Sequence, residues 1–458
     1  MSGKRIEKDS MGQLEVPADA LYGAQTQRAI NNFPVSGCRM PEPFIKALLL
    51  VKQVAAEANG RLGGLTEKQA EAIQKACLSL LAQADLMSHF PVDVFQTGSG
   101  TSSNMNANEV IARVASADSE LAIHPNDHVN YGQSSNDVIP TTIHVSAALE
   151  INNQLLPALL HLRRILKSKA EEVGHHCKTG RTHLMDAMPV TMGQVLTGWT
   201  NQVEQQLRNL EAVLPSLHKL AQGGTAVGTG INAHPEFAKT FCQLLETKTD
   251  VAFKTVGNFF PLISSQDTVV TISGVLKSIA VTLMKFANDL RWMNSGPLAG
   301  LGEIALPALQ PGSSIMPGKV NPVVPESVAM ACAQVIGNDT AITVGGQSGN
   351  FELNVMLPMI ASNLLQNIQL LSNSAVLLAD KAIEGFTINE DNLNHALDRN
   401  PILVTALNSI IGYNKAAEIA KKAYAQGRPV VDVAAEETDF SVTELQEMLS
   451  PKKLTKGG

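Results

Sequence analysis

The stretch Gly312–Pro322 concentrates side chains that could do chemistry: two adjacent serine hydroxyls, a lysine and an asparagine. Its glycines and prolines oppose a helix or a strand interior, because proline lacks an N–H donor and glycine is costly to order. We therefore predict a loop between apolar, helix-patterned segments. Polar groups gathered on such a loop are typical of a lid that contacts a ligand.

A phosphate-binding P-loop is the first alternative for this stretch. That motif places four residues between its glycines and a serine or threonine after its lysine. Here five residues separate Gly312 from Gly318, and Val320 follows Lys319. Phosphate binding by this mechanism is excluded.

Hydroxyl and amide side chains also crowd the stretch Gln96–Asn108, which is almost free of charge. A single serine or threonine before a helix usually caps the free N–H groups of the first turn. At this density a binding loop at a helix N-terminus is the better interpretation, since such a terminus attracts a carboxylate.

Three more polar segments lie beside predicted helices: His124–Asp127, Gln133–Asp137 and Thr179–Asp186. The first two are also good turn and capping sequences. The third carries His183, and a lone histidine is more often structural than catalytic. We predict that its Gly-Arg-Thr turn lies between two long helices, a context that favours catalysis.

The sequence Gly228–Ala233 fits the dinucleotide fingerprint G-x-G-x-x-A, with Asp250 at about the expected separation. However, Ser216–Gln222 completes a helical stripe instead of a strand, and no alternation of strands and helices surrounds it. We therefore predict no dinucleotide site here.

The chain has 458 residues, of which 44% are hydrophobic and only 4% aromatic. This composition favours helices and a large core. A net charge of −7 leaves no basic face for nucleic acid. No apolar signal region begins the sequence and no apolar run approaches the length of a membrane span, so we expect a cytoplasmic protein that binds no membrane.

Cysteine and histidine spacing predicts neither a cofactor nor a metal. The five cysteines are widely spaced without a C-x-x-C pattern, so we expect reduced, mostly buried thiols and no iron–sulfur cluster. Apart from His124 and His128, which have H-x-x-x-H spacing, the eleven histidines form no cluster of ligand spacing along the sequence.

Apolar residues at spacings of three and four predict helices over about 43–59, 66–89, 140–174, 191–221, 266–294, 325–344 and 358–383. Shorter helices are predicted over 405–413, 415–426, 429–435 and 443–449, and residues 1–40 are predicted to be mostly irregular. The expected fold is mainly all-α: a mostly helical N-terminal domain (1–133), a central long-helix bundle (134–388) and a small C-terminal helical domain (389–458). So much apolar helix surface also indicates a homo-oligomer.

These motifs together resemble the fumarase/aspartase superfamily, lyases that add or eliminate across the double bond of fumarate. The resemblance covers nearly the whole chain, through Asp9–Gly12, Gln96–Asn108, His124–Asp137, Gly180–Pro189, Gly224–Asn232, Gly312–Pro322 and Asn350–Asn354. Several positions are similar to the class II fumarases and differ from aspartases: Ser99 in Gly-Ser-Gly, His124, Ser135, His183 and Gly318.

The resemblance implies a three-domain fumarase/aspartase-like fold and a homotetramer with active sites built from several subunits. It also implies that Gly228–Ala233 is a connecting loop near the active site. The implied activity is metal-independent hydration of the small dicarboxylate fumarate to (S)-malate, in the tricarboxylic acid cycle. The implied catalytic residues are His183, Ser313 and Glu326. The implied substrate contacts are Ser99, Gly100, Thr101, Ser134, Ser135, Asn136, Thr182, Ser314, Lys319, Val320 and Asn321. A secondary dicarboxylate site would consist of His124, Pro125, Asn126 and Asp127.

Hydration requires two acid/base groups on opposite faces of the alkene and donors for the carboxylate that gains charge. His183, which the resemblance pairs with Glu326, is the candidate for the water proton, and Ser313 is the candidate for the C–H proton. A serine alkoxide needs stabilisation by backbone N–H groups and Lys319. The sequence leaves open which group takes which proton. It also leaves two other functions: ammonia release from aspartate by the same fold, and a non-catalytic helical scaffold.

Overall fold

The computed structural model describes residues 3–456, so the outermost residues of the predicted domains 1–133 and 389–458 lie outside it. Most of the described chain is α-helical, which confirms the predicted mainly all-α fold. The strands pair antiparallel in twos, as β1–β2, β3–β4, β5–β8 and β6–β7. Their bounds are β1 Lys4–Asp9, β2 Gly12–Pro17, β3 Cys177–Thr182, β4 Met185–Thr191, β5 Ile304–Ala305, β6 Gly349–Asn350, β7 Leu353–Asn354 and β8 Thr387–Ile388.

The helices carry nearly all of the core. Their bounds are α1 Ala24–Asn32, α2 Glu42–Arg61, α3 Glu67–Leu81, α4 Thr101–Ser119, α5 Ser135–Glu150, α6 Leu156–Val173, α7 Met192–Leu217, α8 Phe237–Thr249, α9 Phe260–Ser264, α10 Asp267–Met293, α11 Val323–Gln347, α12 Leu357–Leu378, α13 Glu390–Asp398, α14 Asn408–Ile411, α15 Tyr413–Gln426, α16 Val430–Glu437, α17 Val442–Met448 and α18 Pro451–Leu454.

The chain forms two compact units, each made of segments that are distant in sequence. The first unit consists of Met1–Pro157, Arg208–Ala280 and Ala333–Ser372. The second consists of Ala158–Leu207, Val281–Cys332 and Asn373–Gly458. The three-domain division at 133/134 and 388/389 stays a prediction.

The N-terminal segment of the first unit is ordered, and the prediction of mostly irregular structure over residues 1–40 is wrong. Strands β1 and β2 form a hairpin that pairs Asp9 with Gly12, and α1 follows. The Arg5 guanidinium donates to the carbonyl oxygens of Pro17 and Tyr22, each at 2.6 Å. These bonds tie the chain after the hairpin to its first strand, a long-range effect that turn residues alone do not reveal.

Helix α2 lies at the centre of the first unit, where it packs against α3, α5 and α8. Its predicted bounds are confirmed to within two residues. Helix α3 begins with a capping box between Thr66 and Gln69 but ends at Leu81. It is shorter than predicted, because the residues before Phe90 turn into a short 3₁₀ helix over Leu86–His89.

The helix predicted over about 140–174 is interrupted. Helix α5 begins five residues earlier, at Ser135, and includes Pro140. A π-helical turn over Ile151–Leu155 separates it from α6. A similar π-helical turn, Ala379–Ile383, follows α12. Such turns insert one extra residue per turn and do not disturb the apolar spacing enough to be visible in the sequence.

Helices α7, α10 and α11 confirm the predicted long helices to within a few residues. By length and composition α10 could cross a membrane, since its most apolar window has a mean hydropathy of 1.6, but half of that window is buried inside the protein. A core helix of a soluble protein has the same properties. Residues at helical spacing on α10, Ile272, Leu276, Ile279 and Leu283, are fully buried, so α10 contributes to the core.

In the second unit, the β3–β4 hairpin packs against α13 and α18. The C-terminal helices surround a hydrophobic cluster of their own that includes Leu407, Ile419, Val433 and Leu445. The short helices predicted for this region are present, except that residues 401–407 form a 3₁₀ helix before α14.

Candidate active site

The loop that leads into α4 holds two of the predicted substrate-binding hydroxyls. Ser99 Oγ lies 2.8 Å from Thr101 Oγ1 at the first turn of the helix. Gln96 Oε1 accepts the backbone N–H and the hydroxyl of Ser103, each at 2.9 Å, and so closes the loop onto α4. The positive end of the helix dipole and the two hydroxyls together suit a carboxylate.

Two glycines set the path of this loop. A Cβ atom at Gly98 would lie 1.8 Å from the carbonyl oxygen of Val355, so no side chain fits there. Gly100 has a φ of +73°, and a Cβ would meet the Ile139 side chain at 2.9 Å. The loop therefore requires glycine at both positions.

The second predicted substrate segment begins α5, where Ser134 is the N-cap. The Ser134 N–H donates to Asp137 Oδ1 at 2.9 Å, and the Ser134 hydroxyl accepts the Asn136 N–H at 3.2 Å. The other oxygen of Asp137 accepts the N–H groups of Gly223 and Thr225 at 3.0 and 2.9 Å. A single buried carboxylate thus fixes both the N-terminus of α5 and the loop that faces it.

Burial raises the pKa of Asp137 to about 6, although the N–H groups of Ser134, Thr225 and Gly223 favour its charged form. Asn136 Nδ2 donates to the carbonyl oxygen of Ala226 at 2.8 Å. The glycine-rich sequence rejected as a dinucleotide site is therefore a loop beside a predicted substrate residue. This confirms the predicted connecting loop.

Below these two helix N-termini lies a polar network that sequence reasoning missed. Lys52 on α2 is fully buried and donates to Asn130 Oδ1 at 2.8 Å and Gln133 Oε1 at 3.2 Å. Asn104 Nδ2 on α4 donates to the same Asn130 oxygen at 3.2 Å and to Ser135 Oγ at 3.0 Å. Burial lowers the pKa of Lys52 to about 7. The sequence signal that could have revealed this network is a lysine within the apolar run of α2.

The predicted secondary site, His124–Asp127, forms a π-helical turn at the surface of the first unit. His124 Nδ1 accepts the Asp127 N–H and lies 3.1 Å from the Asp127 carboxylate. The His124 N–H donates to His128 Nδ1 at 2.8 Å. These contacts show that His124 caps the N-terminus of the turn. Dicarboxylate binding at this segment stays a prediction.

In the second unit, Thr182 and His183 lie at the tip of the β3–β4 hairpin. The segment lies between the long helices α6 and α7, as predicted, but it forms a β-hairpin that was not predicted. His183 and Leu184 form the two-residue connection with φ values of 55° and 61°, the backbone shape of a tight hairpin turn. The His183 imidazole is exposed. The turn holds this side chain outward, where it can reach a ligand.

A buried ion cluster fixes the orientation of this hairpin. Glu303, which is 2% exposed, contacts Lys178 Nζ at 2.7 Å and Arg181 Nη1 at 2.6 Å. Both cations belong to β3, and Arg181 precedes the predicted substrate residue Thr182. Sequence reasoning missed Glu303, because its partners lie more than a hundred positions away.

The stretch Gly312–Pro322 forms the predicted loop. The Gly312 N–H donates to the Lys319 carbonyl oxygen at 2.9 Å, and Asn321 Nδ2 donates to the Gly312 carbonyl oxygen at 2.6 Å. The two ends of the loop are therefore clasped together. Ser314, Lys319 and Val320 are exposed on it, whereas Ser313 is half-buried.

Within this loop, the hydroxyl oxygen of Ser313 accepts two backbone N–H groups. The donors are Ile315 at 3.2 Å and Met316 at 3.0 Å. Such donors stabilise negative charge on the oxygen. Two backbone dipoles therefore point at the Ser313 oxygen.

Four predicted residues of the second unit line one cavity of about 700 Å³: Lys319, Val320, Asn321 and Glu326. Arg291 and Asn294 of the α10 end also line it, and sequence reasoning missed both. Among the described residues, no hydrogen bond or ion pair within the chain joins Glu326 to His183. The pairing that the resemblance implies is therefore not made inside a single described chain.

The cysteines match the prediction of reduced, mostly buried thiols. All five are free, and Cys77, Cys242 and Cys332 are buried. Burial raises the pKa of these three thiols to about 12. The structure also brings together His175, His176 and Glu390. Sequence spacing did not predict this cluster, because Glu390 lies far from the two histidines in the chain.

The chain matches two families, described as lyase over residues 12–337 and fumarase C C-terminus over residues 403–456. It is 67% identical to fumarate hydratase class II 2 of Pseudomonas aeruginosa, over the whole of both chains. It is 56% identical to fumarate hydratase class II of Xylella fastidiosa, over 99% of this chain and 96% of the relative. Its structure is similar to a class II fumarase from Schistosoma mansoni, with a TM-score of 0.94, 38% identity and 99% of each chain covered.

The helical fold and the serine- and lysine-bearing loop, together with these matches, define a lyase. The chain belongs to the class II fumarase family.

Proposed function

We propose that this chain catalyses the reversible hydration of fumarate to (S)-malate. Family membership supports a small dicarboxylate as the substrate. The observation that carries the mechanism is the environment of Ser313, whose oxygen accepts two backbone N–H groups on a loop that also bears Lys319.

Adding water to an alkene between two carboxylates needs proton transfers at two places. A base takes a proton from water as its oxygen bonds to one alkene carbon. The electron pair of the alkene moves to the neighbouring carbon and its carboxylate, and that carbon then receives a proton on the opposite face. Two acid/base groups and a set of donors for the charged carboxylate are therefore required.

His183 is the proposed base for water, because its imidazole is exposed at a rigid hairpin tip. Ser313 is the proposed acid that gives the proton to carbon. The alkoxide left on Ser313 would accept the Ile315 and Met316 N–H groups, which already point at its oxygen. Lys319 adds a positive charge on the same loop.

The substrate carboxylates are proposed to bind at two kinds of donor set. Lys319 and Asn321 provide a cation and an amide beside the cavity of the second unit. Ser99, Thr101 and the Ser134–Asn136 segment provide hydroxyls, an amide and helix N-termini in the first unit. The positive charge of Lys319, which shares the cavity with the Glu326 carboxylate, and the helix N-termini of the first unit support an anionic ligand.

We propose that the protein is a cytoplasmic homotetramer of the tricarboxylic acid cycle with active sites built from several subunits. Exposed apolar side chains on the long helices, among them Trp292 at 52% and Met330 at 69% exposed, support subunit contacts. The unpaired positions of His183 and Glu326 within one chain fit a site that needs a partner. Free, buried cysteines fit a reducing compartment. The proposed steps use imidazole, hydroxyl and backbone groups, so no metal is assigned to them.

The test is a paired assay of the purified protein that follows the ultraviolet absorbance of fumarate. We expect fumarate from L-malate and none from L-aspartate. His183→Asn should lower kcat/KM for malate by at least ~100-fold, whereas His395→Asn, at an exposed histidine on α13, should leave it unchanged. Formation of fumarate from L-aspartate would instead identify the protein as an ammonia-lyase. If neither substrate gives fumarate, the non-catalytic helical scaffold is the remaining function.

A further inference from the structure

Two adjacent histidines and a distant glutamate meet at the base of the β3–β4 hairpin. His175 and His176 immediately precede β3, and Glu390 is the first residue of α13. One ligand atom from each of the three side chains lies within 4.8 Å of the other two. None of these residues belongs to the site described above.

The geometry suits a tetrahedral metal ion. His176 Nδ1 lies 3.3 Å from Glu390 Oε1. Ligand atoms 2.0 to 2.1 Å from a tetrahedral zinc ion are about 3.3 Å apart, so this pair already has the separation of two ligands. The rings of His175 and His176 lie side by side, with centroids 4.0 Å apart and planes inclined by 36°. The side chains of His175 and Glu390 are exposed, which leaves both free to approach an ion.

One ligand is held firmly and the others can adjust. The His176 side chain is only 16% exposed, whereas that of Glu390 is 66% exposed. The backbone of His176 is fixed on both sides: its N–H donates to the Val173 carbonyl oxygen at 3.3 Å, and its carbonyl oxygen accepts the Met192 N–H at 2.9 Å. An ion could therefore enter from solvent onto an anchored imidazole.

We propose that His175, His176 and Glu390 form a binding site for a borderline divalent transition metal, with Zn²⁺ as the ion of choice. Two imidazoles and one carboxylate, with a fourth position open to water, are a common zinc ligand set. Calcium and magnesium take oxygen ligands and do not suit two imidazoles.

The position of the site assigns it a role in holding the hairpin. His176 lies at one end of β3 and His183 follows the other end, roughly 20 Å away at the rise of an extended strand. The ion would link β3 to α13, which already pack together. It would take no part in the hydration and would restrain the base of the hairpin whose tip carries His183.

The test is isothermal titration of the full-length protein with ZnCl₂ in a buffer that does not bind zinc. A Cys38→Ser background removes the exposed thiol. We expect saturable binding of one ion per chain, weakened at least ~10-fold by His175→Ala and by His176→Ala. His395→Ala, an exposed histidine on the same helix as Glu390, is the matched control and should bind zinc like the parent.

Two readouts separate this site from alternatives. Bound Co²⁺ should show the visible absorption of a four- or five-coordinate ion, without a thiolate charge-transfer band. Zn²⁺ should raise the melting temperature of the parent protein but not that of His176→Ala. The His176–Glu390 contact alone is an ordinary ion pair, which needs no third ligand. Unchanged zinc affinity in His175→Ala would therefore overturn the proposal, as would the absence of saturable binding.

Discussion

Ser313 shows how a backbone can prepare an unreactive side chain for chemistry. Its hydroxyl accepts two N–H groups from the loop that contains it. Ser313→Ala removes the proposed acid and leaves these donors without a partner, so kcat should fall ~10²- to 10⁴-fold with little change in KM. Steady-state assays with fumarate would measure this. Exchange of the carbon-bound malate proton with deuterated solvent should be lost in parallel.

Ser88→Ala is the control for this prediction, because Ser88 is exposed in a short 3₁₀ helix and belongs to no predicted site. It should retain the parent kcat. A Ser313→Ala variant with parent-like kcat would remove Ser313 from the mechanism.

Lys52 makes a prediction about pH and stability. Burial lowers its pKa to about 7 in the folded chain, from the ordinary 10.5. Between these values the unfolded chain holds a proton that the folded chain lacks, so the Lys52 contribution to the free energy of unfolding rises with pH. Relative to Lys52→Met, the parent should gain roughly 2 kcal/mol between pH 7 and pH 9. Urea unfolding of both proteins at each pH would measure it.

The matched control is Lys46→Met, since Lys46 is exposed on the same helix. Its free energy of unfolding should run parallel to that of the parent over this pH range. A parallel course for Lys52→Met would show instead that Lys52 keeps an ordinary pKa in the fold.

At the scale of secondary-structure elements, the β3–β4 hairpin depends on Glu303. This carboxylate pairs with two cations of β3, and one of them, Lys178, is 7% exposed. Glu303→Gln leaves both cations without a charged partner in a buried place, and should lower the free energy of unfolding by about 3 to 5 kcal/mol. Because the hairpin carries His183, kcat should also fall in the fraction that stays folded.

Glu71→Gln is the comparison, since it breaks a solvent-exposed pair with Lys75 at 3.4 Å. It should cost less than about 1 kcal/mol. Denaturant midpoints of the two variants would separate the buried cluster from the surface pair, and equal midpoints would contradict a buried role for Glu303.

The sequence predicted elements with a regular apolar spacing and missed those made by distant contacts. Helices such as α7 and α10 were predicted closely, because their buried stripes repeat every three or four residues. The hairpin at His183 was not, since β3 is polar and is held by Glu303 from a remote segment. Motif residues on the Ser313 loop could be named in advance. Lys52 and Asn104 could not, because their role depends on helices meeting in three dimensions.

For the whole molecule, the proposed shared active sites predict complementation. His183→Asn and Ser313→Ala should each be nearly inactive alone. If the two residues of a site come from different subunits, tetramers formed by refolding an equal mixture should recover about one quarter of the parent activity. Light scattering would confirm the tetramer. A mixture as inactive as its components would place both residues of each site in the same subunit.

The close approach of the Val355 carbonyl oxygen to Gly98 predicts which mutations at that codon survive selection. Every missense change in that codon adds a side-chain atom where only 1.8 Å is available, so selection should purge all of them. Gly198, inside α7, has nothing within 4 Å of a built Cβ. A library that covers both codons should return a single allele at the first and freely accept alanine at the second.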